Sequence, residues 1–125
     1  MTRSYSYLTV EDALYVVQRL GMYVRDPGAL ESALHRPTAV VFGQESYPDL
    51  FSKAGALMDA ICRSHPLVDG NKRLAWLSAV MFLARHGYQL TADPHDVDAF
   101  VRQIAGEHAP LEAIVEWIAA HVDTY

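Results

Sequence analysis

The chain has 125 residues, 51% hydrophobic and 20% charged, which bounds it to one domain over 1–125 with apolar material for a real core and argues against global disorder. Its net charge of −5 argues against direct nucleic-acid binding, which needs a basic stripe to neutralise phosphates. The six histidines are scattered and do not alter that balance.

The N-terminus, MTRSYSYLTVED, has no apolar h-region, so no signal peptide is expected. Thr9 precedes VEDALYVVQRLG with Asp12 three residues on, a capping box with Asp in the Glu position. Ala13, Val16, Val17 and Leu20 share one helical face, and Gly21 is a stop signal. Asp26-Pro27 reads as N-cap plus first helical position of a short helix ending near His35. Arg36 to Ser46 (RPTAVVFGQES) has β-branched residues, a Gly and no helical period, which predicts a loop or short extended flap.

Pro48 then opens a helix to about Arg63, with Leu50, Ala54, Leu57 and Ile61 as its apolar stripe. Cys62, the only cysteine, reads as a small buried residue on that helix; with no internal disulfide possible, it fits a reducing cytoplasm. The polar stretch HPLVDGNKR, His65 to Arg73, follows as a loop. A helix from Gly70 or Asn71 to about His86 comes next, and its uncharged body, Leu74 to Ala84, is too short to span a bilayer. Being apolar on every side, it is expected at the centre of the fold. Asp93-Pro94 repeats the cap signal before Val97, Phe100, Val101 and Ile104. Pro110 opens the last helix, where Leu111, Ile114, Val115, Ile118 and Val122 keep helical spacing. No strand-rich block appears, so the expected fold is an all-α bundle around the 71–86 helix.

HPLVDGNKR gathers distinct chemistry. The amides of Gly70, Asn71, Lys72 and Arg73 would be orphan donors of a helix N-terminus, where the dipole favours an anion. Gly70 lets a phosphate approach the backbone, and Arg73 can bind two phosphate oxygens. Asp69 is the nearest carboxylate for a divalent cation shared with phosphates. His65 carries an imidazole, a group that can accept a hydroxyl proton. Asn71 could orient the loop or bond a phosphate oxygen. Singly, each has a structural reading, such as Asp69 as an N-cap. Two cations in a first turn oppose the dipole by about 0.3–1 kcal/mol, which argues against a purely structural role. Together they are the parts of phosphoryl or nucleotidyl transfer to a hydroxyl. His35, His86, His95, His108 and His121 lack metal-ligand spacing, and Trp76 and Trp117 read as core or groove packing.

These residues resemble the Fic/Doc signature, His-x-Phe-x-Asp/Glu-Gly/Ala-Asn-Gly/Lys-Arg, with Leu67 in place of Phe as the only departure. Lys72, and Trp76 where the nucleotide-transferring branch has a second Arg, are similar to the Doc branch. The resemblance extends to Asp26-Pro27-Gly28, Asp49-Leu50-Phe51 and FLARHGYQL. It implies a toxin of a toxin–antitoxin module, a kinase that transfers the γ-phosphate of ATP, with Mg²⁺, to a threonine of elongation factor Tu and stops translation. His65 would then be the general base and Asp69 the Mg²⁺ ligand, while Gly70, Asn71, Lys72 and Arg73 would hold phosphates. Arg63 matches an Arg that would help bind nucleotide, or it is a helix-end cation. The 36–47 flap falls where the family docks its target segment. The family's inhibitory motif, Ser/Thr-x-x-x-Glu-Gly/Asn, is missing, so an antitoxin would inhibit from a separate chain, folding as a helix into an apolar groove. The alternatives are a Fic-type nucleotidyl (AMP) transferase and a non-catalytic binding member.

Overall fold

The computed structural model describes residues 4–125, so the first three residues of the stretch read for a leader lie outside the described residues. The elements are α1 (Val10–Arg19), α2 (Pro27–His35), a 3-10 turn (Arg36–Thr38), β1 (Val40–Val41), β2 (Gln44–Glu45), α3 (Leu50–Ser64), α4 (Asn71–Ala84), β3 (Tyr88–Leu90), α5 (Pro94–Glu107), α6 (Leu111–Ala120) and β4 (Val122–Thr124). The fold is mostly helical, as expected, with two short ribbons added.

Helix starts follow local capping chemistry. Thr9 Oγ1 accepts from the Asp12 amide at 3.2 Å, and Asp12 Oδ2 accepts from the Thr9 amide at 2.8 Å. The Thr9 amide, opposed by burial and aided by Arg85 at 2.9 Å, holds the Asp12 carboxyl below its ordinary range. Asp26 and Asp93 cap α2 and α5, and Pro27 and Pro94 stand at the first helical position. Asp49 caps α3, so that helix begins at Leu50 and not at Pro48.

The centre belongs to α3 more than to α4. Lys53 to Cys62 is buried without interruption, because α3 packs against α2, α4, α5 and α6. Its small residues permit this: a Cβ at Gly55 would stand 3.3 Å from Ile114, Leu111 and Val115. Helix α4 packs against α3 through Leu74, Ala75, Ser78, Ala79, Phe82 and Leu83, while Trp76, Leu77 and Val80 stay half-buried. Its uniform apolarity thus serves both a core face and a groove.

Two further expectations change. Val122 leaves the last helix and opens β4, pairing antiparallel with Leu90 of β3. The partner that draws it into a strand follows α4 and is invisible to helical spacing. The flap is a hairpin, with Val40 opposite Glu45 and Val41 opposite Gln44. Its turn residues Phe42 and Gly43 have φ of 51° and 77°, the left-handed pair of a two-residue hairpin loop. None of the described helices is long and apolar enough to cross a membrane.

Candidate active site

Helix α3 ends on His65, whose backbone is left-handed (φ 47°, ψ 58°). For a residue other than Gly that conformation costs about 1–2 kcal/mol. The chain then runs along Tyr23–Asp26 as on a rail. The amides of Arg25 and Asp26 donate to the Pro66 carbonyl at 2.8 and 3.0 Å, and that of Val68 donates to Tyr23 at 2.9 Å. The Arg25 guanidinium donates to the carbonyls of Ser64 and His65. Leu67, 1% exposed, anchors the loop in the core, where the family pattern has Phe.

Asn71 closes the loop. Its Oδ1 accepts from the Leu67 amide at 2.8 Å and its Nδ2 donates to the Leu67 carbonyl at 3.1 Å. The side chain is thereby committed to loop shape, leaving the Asn71 amide as what it offers an anion. Gly70 has φ 90°, and a Cβ there would fall 2.2 Å from Met22 Sδ. The left-handed conformation favours Gly at this position, and a larger residue would also have to displace the Met22 side chain. The Gly70 amide donates to Asp69 Oδ1 at 2.9 Å, which leaves the other carboxylate oxygen available.

Helix α4 starts with no side-chain cap and no acid in its first turn. Its amides and the exposed Lys72 and Arg73 make a cationic N-terminus. His65, Asp69, Gly70, Asn71, Lys72 and Arg73 all line one cavity of about 1090 Å³. The other wall is apolar: Trp76, Leu77 and Val80 of α4 face Val97, Val101 and Ala105 of α5. Trp76 meets Trp117 edge-on at 6.0 Å, which fixes that wall from behind.

Arg63 is not among the lining residues. Its Nε bonds both oxygens of Asp59 at 2.9 Å, and it lines a smaller groove with Arg36, His35 and Ser64. Met22 and Arg25 were not singled out from the sequence. Arg25 bonds a carbonyl 40 residues away in the chain, and no local spacing signals such a partner.

No cluster of three metal-binding side chains exists among the described residues. One exposed carboxylate beside the uncapped N-terminus of α4 fits Mg²⁺ held largely by substrate oxygens and water, not a protein cage. Burial, with Asp59 nearby, pushes the Cys62 thiol up to about 11, so it is no nucleophile at neutral pH.

The Fic/DOC family pattern matches residues 7–83. Toxin Doc of Mycolicibacterium smegmatis is 44% identical over 99 residues, covering 77% of this chain and 75% of the relative. Protein kinase doc of Escherichia phage P1 is 38% identical over 82 residues, covering 66% of this chain and 64% of the relative. The chain belongs to the Fic/Doc family, in its Doc branch. The family match ends at Leu83, so the α5 wall of the cavity lies beyond it.

Proposed function

We propose that residues 1–125 form a single Fic/Doc domain acting as the toxin of a type II toxin–antitoxin module in the cytoplasm. Its activity on this reading is that of a Mg-ATP-dependent protein kinase. It phosphorylates a hydroxyl of a translation factor, elongation factor Tu, and so inhibits translation. The observation that carries the reading is the uncapped, cationic start of α4 opening into one cavity with His65 and Asp69. The names of the two relatives, a toxin and a protein kinase, support it.

In this mechanism His65 takes the proton of the target hydroxyl as its oxygen bonds to the γ-phosphorus. The bond from that phosphorus to the bridging oxygen breaks, and ADP leaves. The amides of Asn71, Lys72 and Arg73, with the two cationic side chains, stabilise the charge that develops on the phosphoryl oxygens. Asp69 would hold Mg²⁺, which would supply charge neutralisation when bound. Gly70 supplies the left-handed turn into α4, and Asn71 holds the loop in shape. Lys72 fills space that a Gly would leave, which favours a nucleotide bound with its γ-phosphate towards the target. Arg63 braces Asp59 through its Nε, and its remaining guanidinium nitrogens would help bind nucleotide. The exposed hairpin receives the protein substrate along a strand edge. The apolar wall from Trp76 to Ala105 takes the helix of the antitoxin.

Transfer of label from γ-labelled ATP to the translation factor, abolished by His65→Ala, tests this. Label arriving only from α-labelled ATP overturns it in favour of nucleotidyl transfer, the second reading, which the close approach at Gly70 favours. Equal toxicity of wild type and His65→Ala in cells would favour a non-catalytic binding role.

A further inference from the structure

Helix α3 buries two opposite charges, and neither lines the cavity. Lys53 is 0% exposed, and its ammonium donates to Glu45 Oε1 at 2.8 Å and to the Pro37 carbonyl at 3.2 Å. The rings of Tyr5 and Tyr7 stand 4.8 and 5.6 Å from the same nitrogen. Further along the helix, Asp59 is 4% exposed and receives Arg36 Nη1 at 2.6 Å and Arg63 Nε at 2.9 Å. Arg36 in turn donates from Nε to the Tyr47 hydroxyl at 2.9 Å. Arg36 and Pro37 precede β1, Glu45 lies on β2, and Tyr47 follows it. The two buried charges therefore grip both ends of the hairpin.

The hairpin has little else to hold it. All four strand residues are exposed, and so is Phe42 at its tip. A two-stranded ribbon with no packed face does not keep its place alone. Its closing bond, from the Ser46 amide to the Ala39 carbonyl at 2.9 Å, fixes its neck but not its direction. Burying an ammonium is costly, and a methionine would fill the same space without that cost. Burial pulls the Lys53 pKa down, but Glu45 and Tyr7 outweigh it and the group stays charged.

We propose that Lys53 and Asp59 are positioning residues, a two-point ionic clamp that fixes the Val40–Glu45 hairpin on α3 as the docking strand for the protein substrate. This rests on the reading that the hairpin receives that substrate. Asp59 also holds Arg63 in the last turn before His65, so one carboxylate joins the hairpin's base to the helix that presents the general base.

The test uses the whole chain as wild type, Lys53→Met and Glu45→Gln. Glu45 sits on the exposed ribbon, so Glu45→Gln keeps the question answerable even where Lys53→Met fails to fold. Amide hydrogen exchange across residues 40–46 should quicken by about tenfold or more in both variants, with α4 amides unchanged. Phosphorylation of the translation factor should show KM for the protein raised by about tenfold, with kcat and KM for ATP within about twofold of wild type. Unchanged exchange in residues 40–46 overturns the clamp, whatever the chain's activity. Faster exchange with unchanged protein KM overturns the positioning role. A fall in kcat together with weaker ATP use also overturns it, since that would place the effect in the cavity. Where wild type itself labels no protein, the proposed function fails, and the exchange measurement still decides the clamp.

Discussion

The loop from His65 to Gly70 and the hairpin from Val40 to Glu45 are both attached to α3, by different physics. The loop is held by backbone: Pro66 and Val68 bond the Tyr23–Asp26 rail, and Asn71 closes on both polar groups of Leu67. At Gly70 the backbone is left-handed and the Met22 side chain lies against it. The hairpin is held at its ends by long cationic side chains: Lys53 reaches from α3 to Glu45, and Arg36 reaches from the hairpin's base to Asp59. Short backbone bonds and close packing tolerate little displacement. Long side chains allow movement before the contact is lost. The segment proposed to aim amides and an imidazole at a reacting group is built the first way. The segment proposed to accept another protein is built the second way.

The sharpest attempt to break this contrast is Gly70→Ala. Left-handed strain and the collision with Met22 should together cost about 2–4 kcal/mol, read as a shift in the denaturant midpoint. Adding Met22→Ala should return the part due to collision and leave the part due to φ. A single-variant loss below about 1 kcal/mol would mean the loop is not tightly packed. Asn71→Ala comes next, at about 1–3 kcal/mol, because it leaves the Leu67 amide and carbonyl without partners. Were Asn71 chiefly a phosphate ligand, ATP binding measured by calorimetry would fall with no loss of stability. Lys53→Met should cost only about 1 kcal/mol in global stability, since the Glu45 side chain, already 43% exposed, can return to water. A loss comparable to that of Gly70→Ala would erase the distinction between the two attachments.

The smallest effect concerns Asp12, which lies in neither region and serves as a control. Its folded pKa is lowered, so its contribution is present above the ordinary value of 3.8 and is lost as pH falls through the lower folded value. Asp12→Asn should flatten the acid limb of a melting-temperature profile without altering hairpin exchange or ATP binding.

What the sequence made legible was local. Thr9 with Asp12, Asp26 with Pro27 and Asp93 with Pro94 announced helix starts, because capping is settled within one turn. The grouping of His65 with Asp69 to Arg73 was legible for the same reason: a short loop before a helix cannot scatter its residues. Asn71 was read with two possible duties, and its bonds to Leu67 show the structural one. Hidden features involve distant partners. Lys53 breaks an apolar stretch and looks like a solvated cation until Glu45, Pro37 and the two tyrosines surround it. Arg63 pairs through Nε with Asp59 four residues back on its own helix, an i,i+4 contact of local kind. Val122 kept helical spacing and still became a strand through Leu90. For Lys53 and Val122 the deciding partner came from tertiary packing, not from a local pattern.

The left-handed backbone at His65 carries an engineering consequence. Glycine is the residue that conformation favours, so His65→Gly should raise stability by about 1 kcal/mol. It would also remove the imidazole. A screen of variants of this chain for heat resistance alone would therefore enrich glycine at 65 and discard the proposed general base, gaining melting temperature at a single position.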